Sequence, residues 1–386
     1  MNKIPIIKPI FGTAEKKAVA EVLDSGWVVQ GPKVAEFEKR FANYTGARYA
    51  IAATSCTTAL HLALRATSIQ PGDEVIVPAF TFIATANVVE YLNARPVFID
   101  INLSTFNIDI DQLNRYLQNR ARSLNGKTKA IIPVHLFGLS ADMNSIRKIS
   151  RRYRLKIVED AACAVGTEYH RKHIGTFGAA GCFSFHPRKA ITTGEGGMIV
   201  TNDLKIKNIC RALRDHGAEL SDLTRHKKGA FALPEYKTLG YNYRMTDIQA
   251  AIGIEQMKRL DAILKKRIQL AERYNQSLSG LKNIILPIPP GGYRHTYQSY
   301  VLLIKDNSPC RRDEIARRLA ADGIATRQGT HAVVTLDYYR KKYGLNPADY
   351  PNACRADKQT LTLPLYQTMT GKEQNKIINS LIKLLK

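Results

Sequence analysis

The sequence predicts an α/β protein, with a mainly parallel mixed central sheet in a large domain and a smaller α+β C-terminal domain. In the first two-thirds of the chain, short apolar, β-branched runs alternate with helix-like segments, which is typical of βαβ units. After Gly240 this alternation stops, and a long helical stretch leads to a break rich in Pro and Gly at 286–293. We therefore expect a large domain at 1–250, N-terminal arm included, and a small domain at 251–386 joined by a long helix.

The elements of the large domain follow one another in regular order. Its predicted strands are 48–53, 74–77, 96–101, 129–134, 155–159, 178–185 and 198–201. Its predicted helices are 57–66, 81–93, 109–118 and 141–153. The small domain is predicted to contain one helix over 246–278, a strand at 300–304, a helix at 312–321 and a last helix at 372–385.

Composition excludes several classes of protein. Hydrophobic residues make up 45% of the 386 positions, which is too many for a disordered chain. No window approaches the roughly 18 uninterrupted apolar residues of a membrane-spanning helix, and the N-terminus lacks a secretory signal. The six cysteines are scattered, without a CxxC pair or a Cys/His cluster at metal-binding spacing. We expect reduced thiols, no metal site and a cytoplasmic location.

The chain is strongly basic, with 57 Lys and Arg against 33 Asp and Glu and a formal net charge of +24. Such a charge attracts polyanions, so a nucleic-acid-binding regulatory protein is one alternative. The basic clusters at 147–154, 225–228, 265–267 and 311–318 are spread along the chain. Because charge runs are usually solvated faces, we expect no specific nucleic-acid site.

The chemistry is concentrated between residues 158 and 197. Asp160 follows a predicted strand, at the sheet edge where ligands of α/β proteins gather. Lys189 comes 29 residues later in FSFHPRKAITTGEGG, a polar, Gly-rich turn between two apolar strands, where Ser184 and His186 could orient a ligand. A lysine that holds an aldehyde and a carboxylate that keeps a pyridine nitrogen protonated are the arrangement expected of an enzyme dependent on pyridoxal 5'-phosphate (PLP).

A phosphate site and an aromatic partner complete this pattern. Ser55, Cys56 and Thr57 fall in the first turn of a predicted helix, where free N–H groups and the positive end of the dipole favour an anion. The alternative for these residues is a plain helix cap. Phe80 and Phe82 follow the next strand, and either ring could stack on the cofactor or belong to the core.

Several motifs resemble the DegT/StrS family of PLP-dependent sugar aminotransferases, namely TSCTTALHLAL, PGDEVIVPAFTFIATANVV, VEDAACAVGT, FSFHPRKAITTGEGG, LGYNYRMTDIQAAIG and TLTLPLY. The resemblance extends from about residue 10 to the C-terminus. It implies a type I, aspartate aminotransferase-like fold and a homodimer with shared active sites. It also implies nucleotide-linked keto-sugar substrates, L-glutamate as amino donor, pyridoxamine phosphate as the aminated cofactor, and a place in amino-sugar and polysaccharide biosynthesis.

The resemblance also assigns residues. Lys189 falls on the lysine that binds the cofactor, and Asp160 on the partner of the pyridine nitrogen. The other cofactor-binding positions are Ser55, Cys56, Thr57, Phe82, Cys163, Ser184 and Asn242, the last from the neighbouring subunit. The resemblance places Trp27, Gln30 and His331 in loops at the substrate entrance, and residue chemistry adds His186 and Arg327 as candidate substrate contacts. Arg327 is the candidate for a nucleotide diphosphate, and Arg244 is expected to form a packing or interface ion pair.

Two departures from the family pattern and several alternatives stay open. Cys163 stands where the family often has His or Gln, and Cys56 where it often has Gly. Family members with His in place of Lys189 are sugar dehydratases, so the lysine favours transamination by a ping-pong mechanism. We expect a 4-keto-6-deoxyhexose as acceptor, with a 3-keto-sugar or a cyclitol as alternatives; the nucleotide and the stereochemistry are not fixed by the sequence.

Overall fold

The computed structural model describes residues 3–121, 127–218 and 235–386. The strands of the described residues are β1 (Tyr49–Ala53), β2 (Glu74–Pro78), β3 (Phe80–Thr81), β4 (Arg95–Ile99), β5 (Thr128–Ile131), β6 (Lys156–Asp160), β7 (Glu168–Tyr169), β8 (Lys172–His173), β9 (Ala180–Ser184), β10 (Gly197–Thr201), β11 (Ile284–Ile285), β12 (Tyr293–Arg294), β13 (Tyr300–Ile304), β14 (His331–Ala332) and β15 (Thr360–Leu363).

The helices alternate with these strands in the first part of the chain and dominate the second. The α-helices of the described residues are α1 (Thr13–Ser25), α2 (Pro32–Thr45), α3 (Cys56–Ala66), α4 (Ala84–Glu90), α5 (Ile110–Ala121), α6 (Met143–Tyr153), α7 (Leu204–Arg214), α8 (Asp247–Lys258), α9 (Leu260–Leu278), α10 (Arg312–Ala321), α11 (Asp337–Tyr343), α12 (Pro351–Gln359) and α13 (Gly371–Leu385). No helix in these three ranges is long and apolar enough to cross a membrane.

A central seven-stranded sheet has the strand order β1-β10-β9-β6-β5-β2-β4. Only β10 runs against its neighbours, and every other pair in this sheet is parallel. The expected mixed, mainly parallel sheet is therefore confirmed. Because the side chains of a strand alternate between faces, Val75 and Val77 enter one core and Ile76 enters the other. The sheet is buried on both faces, which accounts for the uniformly apolar strands.

A third core lies outside the central sheet. It is built from α9, β13, α10, β15 and α13, and it includes Ile4 from the N-terminal arm. Ile4 also pairs with Ile324 through the backbone. The segment from β14 to α12 packs instead into the core that contains Val75. The division of the chain at residue 250 stays an interpretation.

The structure corrects several predicted elements. The helix predicted over 246–278 is two helices, because the chain leaves the helical conformation at Arg259 (φ −108°, ψ 2°). The helix predicted at 81–93 shortens to α4, since Thr81 belongs to β3 and residues 91–93 form a turn. The segment between the predicted helices 312–321 and 372–385 contains α11 and α12, for which the sequence analysis predicted no element. The cluster at 225–228 lies outside the described residues.

Two polar residues fix the junction of α8 with the N-terminal region. Thr246 caps α8 by accepting the N–H of Gln249 at 3.2 Å. Asp247, the first residue of α8, instead accepts N–H groups of Gly31 and Val34 at 2.8 and 2.9 Å, at the N-terminus of α2. A carboxylate at this position satisfies the free N–H groups of a helix start.

Candidate active site

A cavity of about 340 Å³ opens at the carboxyl edge of the central sheet. Asp160 ends β6, Ser184 ends β9, and Lys189 follows five residues after that strand. The N-terminus of α3 reaches the same edge, because β1 runs in the same direction as β9. Ten predicted site residues line this cavity, namely Ser55, Cys56, Thr57, Phe82, Asp160, Cys163, Ser184, His186, Lys189 and Arg327.

Asp160 is buried, with 5% of its surface exposed. Its carboxylate accepts the hydroxyl of Thr85 at 2.8 Å and the N–H of Ala162 at 3.1 Å. Burial raises the pKa of Asp160, and these hydrogen bonds and the charge of Lys189 act against that shift. The carboxylate forms no ion pair with any residue in the described ranges, so it is suited to a cationic group of a ligand.

The residue before Asp160 holds the neighbouring backbone. The buried Glu159 accepts the N–H groups of Gly175, Phe177 and Gly178 at 2.7–2.8 Å. His135 lies 3.2 Å from the same carboxylate. Because these contacts fix the end of β6, the direction of Asp160 is also fixed.

The start of α3 has the geometry of an anion site. Ser55 caps the helix by accepting the N–H of Thr58 at 3.1 Å, and the first N–H groups of a helix have no partner within it. Gly197 of β10 passes so close that a Cβ there would lie 2.3 Å from Ser55. A glycine is therefore required at position 197, and the TTGEGG motif reflects this close approach. Burial raises the pKa of the Cys56 thiol well above its usual value.

Lys189 points its amine towards Cys163. The Nζ atom donates to Cys163 Sγ at 3.2 Å, and the backbone N–H of Lys189 donates to the carbonyl of His186. Cys163 thus contacts the amine itself, a contact that the sequence did not predict. On the other side, Gln298 Nε2 donates to the carbonyl of Arg188 at 2.7 Å. This bond joins the C-terminal part of the chain to the turn that carries Lys189.

The two candidate rings separate clearly. Phe80 is fully buried and packs against Phe106 and Phe137, whereas Phe82 is 58% exposed and lines the cavity. Phe82 is therefore the ring available to a ligand.

His186 accepts the N–H of Arg188 through Nδ1, and burial lowers the pKa of His186.

Four predicted residues lie outside this cavity. His331 is exposed and pairs with Thr81 through β14 and β3, close to the cavity wall. Trp27 donates its indole N–H to the carbonyl of Gln30 at 3.2 Å, and Gln30 lines a second cavity of about 1030 Å³. Asn242 is exposed and pairs through its backbone with Asp215, which lines the second cavity.

Arg244 forms the expected ion pair. Its Nη1 atom lies 2.6 Å from the Oδ1 atom of Asp215, and both side chains are mostly buried.

In the ranges that the structure describes, no group of three or more His, Cys, Asp or Glu side chains could hold a metal ion.

Three further residues of the site were missed. Thr85 lies in the FTFIATANV segment, and Arg188 directly precedes Lys189 in FSFHPRK, so local motifs contained both. Gln298 had no signal in the sequence, because its role depends on the packing of a distant loop against residue 188.

Comparison with known proteins decides the family. The sequence matches the DegT/DnrJ/EryC1/StrS aminotransferase family over residues 9–382. The chain belongs to this family. The spore coat polysaccharide biosynthesis protein SpsC of Bacillus subtilis is 38% identical over 385 residues, which cover 99% of this chain and 97% of SpsC.

Solved structures are similar over the same length. The putative sugar aminotransferase Spr1654 of Streptococcus pneumoniae, in its PMP-form, has a TM-score of 0.91 and 30% identity, and the match covers 99% of this chain and 98% of that chain. PseC of Helicobacter pylori, an aminotransferase of pseudoaminic acid biosynthesis, has a TM-score of 0.90 and 28% identity over 100% and 99% of the two chains.

The protein is thus a PLP-dependent transaminase with the type I fold, as the sequence predicted. The cavity fits the cofactor. A helix N-terminus suits its phosphate, and the buried carboxylate of Asp160 suits a protonated pyridine nitrogen. The amine of Lys189 lies in the same cavity and suits the aldehyde.

Proposed function

We propose that the protein aminates a nucleotide-linked 4-keto-6-deoxyhexose, with L-glutamate as the amino donor and a ping-pong mechanism. The observation that carries the proposal is one cavity that joins the Lys189 amine, the buried carboxylate of Asp160 and the N-terminus of α3. When bound, PLP supplies an aldehyde that takes up an amino group and a ring that withdraws electrons. The remaining chemistry falls to residues of this chain.

Asp160 would keep the pyridine nitrogen of the cofactor protonated, which makes the ring electron-withdrawing. Its carboxylate, oriented by Thr85 and Ala162, binds the N–H of a protonated pyridine nitrogen. Burial strengthens this interaction because little water competes with it. The contacts of Glu159 keep the strand end, and hence the carboxylate, from turning away.

Lys189 moves the proton. Its amine takes the proton from the Cα atom of the donor, and in the second half-reaction it delivers a proton to the sugar carbon that receives the amino group. The contact with Cys163 at 3.2 Å keeps the amine inside the cavity when it is free. Because both substrates need this amine, donor and acceptor occupy the cavity in turn.

The remaining cavity residues have proposed binding roles. The start of α3, with Ser55, Cys56 and Thr57, and the hydroxyl of Ser184 bind the cofactor phosphate. Phe82 stacks on the ring. Substrate contacts are also proposed for His186 and Arg327 within the cavity, and for Trp27, Gln30 and His331 outside it.

The substrate class is supported by relatives of stated role. SpsC acts in spore coat polysaccharide biosynthesis, and PseC in the biosynthesis of pseudoaminic acid. A sugar acceptor, and a polysaccharide as the destination of the product, are therefore the preferred hypothesis for this chain.

A homodimer with shared sites is part of the proposal. Asn242 is exposed, and Leu239 and Tyr236 beside it are 81% and 61% exposed. Apolar side chains in such a cluster are typical of an interface. In the dimer, Asn242 contacts the cofactor phosphate of the partner subunit. A cytoplasmic location stays a prediction.

Separate half-reactions test the function. The PLP-loaded protein is mixed with L-glutamate while its absorbance is followed, and 2-oxoglutarate is measured. UDP-, GDP- and dTDP-linked 4-keto-6-deoxy sugars, a nucleotide-linked 3-keto-sugar and a cyclitol ketone are then added in turn to separate samples. We expect glutamate to abolish the spectrum of lysine-bound PLP and one sugar to restore it. Restoration by a 3-keto-sugar or a cyclitol ketone alone would contradict the acceptor, and no response to glutamate would contradict the donor.

A further inference from the structure

Two arginine side chains of the cavity take no part in the proton transfer described above: Arg188 has no role so far, and Arg327 has only a general contact with the substrates. Arg188 directly precedes Lys189, and Arg327 lies on the strand-like segment that pairs with Thr362 of β15. Both line the cavity that contains Lys189 and Asp160. The two cations thus come from distant parts of the chain and meet at one opening.

The charges in the cavity do not balance within the protein. The acidic residues of its lining are Asp160 and Glu195. Asp160 accepts hydrogen bonds from Thr85 and Ala162, and Glu195 lies 4.0 Å from His186 Nε2. Across the ranges 3–121, 127–218 and 235–386, neither Arg188 nor Arg327 forms an ion pair with a carboxylate.

The two guanidinium groups also influence each other. Burial and then the charge of Arg188 lower the pKa of Arg327. By surface area both residues are still exposed, so their repulsion is partly screened, and an anion bound between them would relieve it. Two forked guanidinium groups present several N–H donors in the geometry that suits a carboxylate or a phosphate.

We propose that Arg188 and Arg327 together form an oxyanion-binding subsite of the cavity, which receives a carboxylate or a diphosphate of the substrates. The inference rests on the proposed function, since glutamate carries carboxylates and a nucleotide-sugar carries a diphosphate. Because both substrates occupy the cavity in turn, one subsite can serve both. Arg188 is then a specificity-determining residue beside the reacting lysine.

The structure makes Arg188 a suitable position for substitution. The contacts that shape its turn are made by its backbone, since its N–H donates to His186 Nδ1 at 3.1 Å and its carbonyl accepts from Gln298 at 2.7 Å. The exposed side chain can therefore be shortened or made neutral without removing these bonds. Arg151, which is exposed on α6 outside the cavity lining, is a matched control for loss of one positive charge.

The experiment measures binding rather than turnover. Glutarate and inorganic pyrophosphate are titrated by calorimetry into the PLP-loaded wild type and into the Arg188→Met, Arg327→Met and Arg151→Met variants. We expect both cavity variants to lose about tenfold or more in affinity for at least one probe, as for a lost hydrogen bond to a charged group. Arg151→Met should stay within about twofold, since a distant surface charge is screened by salt.

The two probes distinguish the sources of the oxyanion. A loss for glutarate assigns the subsite to a carboxylate, and a loss for pyrophosphate assigns it to a diphosphate. Arg188→Lys, which keeps the charge and loses the fork, should lose less than Arg188→Met. The proposal is overturned if neither probe binds the wild type, if the cavity variants bind as the wild type does, or if Arg151→Met loses as much. If the wild type binds a probe through both arginines but its spectrum does not change with glutamate, the subsite stands and only the proposed amino donor is refuted.

Discussion

The hydrogen bond from Thr85 to Asp160 offers a sharp test of how the cofactor nitrogen is held. Thr85 is fully buried, and its hydroxyl donates to the carboxylate at 2.8 Å. Thr85→Val replaces the hydroxyl by a methyl group of similar size, so the packing is largely kept. A hydrogen bond to a charged group contributes about 1.5–3 kcal/mol, which corresponds to about 10- to 100-fold in an equilibrium.

The sign of the effect follows from the carboxylate. Burial raises the pKa of Asp160, and the bond from Thr85 is the largest influence that lowers it. Its loss raises the pKa further, so Asp160 takes up a proton at a higher pH and no longer binds a protonated pyridine nitrogen. We expect PLP affinity to fall about 10- to 100-fold and the acidic limb of its pH profile to move to higher pH.

The assay is a spectroscopic titration of the protein with PLP between about pH 5 and pH 9. Thr81→Val is the matched control, because the Thr81 hydroxyl contacts Thr85 at 2.9 Å and does not contact the carboxylate. Its effect should be several times smaller. Thr85→Val with the wild-type affinity and the wild-type pH profile would refute this role of the hydrogen bond.

Three further predictions concern the lysine, a buried guanidinium and a buried imidazole. Lys189→Ala should lower the rate of the glutamate half-reaction by at least about 100-fold, and an undiminished rate would exclude its proton-transfer role. Arg267 is buried and donates to three backbone carbonyls, so Arg267→Met should lower the free energy of unfolding, measured by urea titration, by about 3 kcal/mol or more. The control Lys265→Met lies on the exposed side of α9 and should change this free energy by less than about 0.5 kcal/mol. Burial lowers the pKa of His295 to about 3, whereas the pKa of an unfolded histidine is about 6.5, so the neutral imidazole stabilises the fold above about pH 6.5 and this stabilisation is lost as the pH falls. For this residue alone, the free energy of unfolding should be about 2 kcal/mol lower at pH 5 than at pH 7. His295→Asn should remove that part of the difference. An unchanged slope in this variant would assign the pH dependence to other groups.

Local patterns were sufficient for the part of the site that lies near strand ends. Asp160 and the 55–57 turn were predicted because each follows an apolar run, and the carboxyl ends of parallel strands meet at one edge. Lys189 was predicted from the polar turn between two such runs. The structure places all of these residues in one cavity.

Features that depend on contacts between distant segments were not predicted. The cluster at 265–267 was interpreted as a solvated face, but Arg267 is 3% exposed and binds the carbonyls of Tyr297, Gln298 and Leu365. Helical periodicity cannot distinguish a buried arginine from an exposed one when its partners are backbone atoms elsewhere. The break at Arg259 was missed for a different reason, since no Pro or Gly stands at that position in the sequence.

The most direct test of the central claim is to locate the cofactor on the chain. The purified PLP-loaded protein is reduced with borohydride, which makes the bond between lysine and cofactor permanent, and its peptides are then identified by mass spectrometry. The cavity geometry predicts the modified residue to be Lys189, and prior incubation with L-glutamate should prevent the modification. Modification of a different lysine, or none in protein that retains PLP, would contradict the assignment on which the mechanism depends.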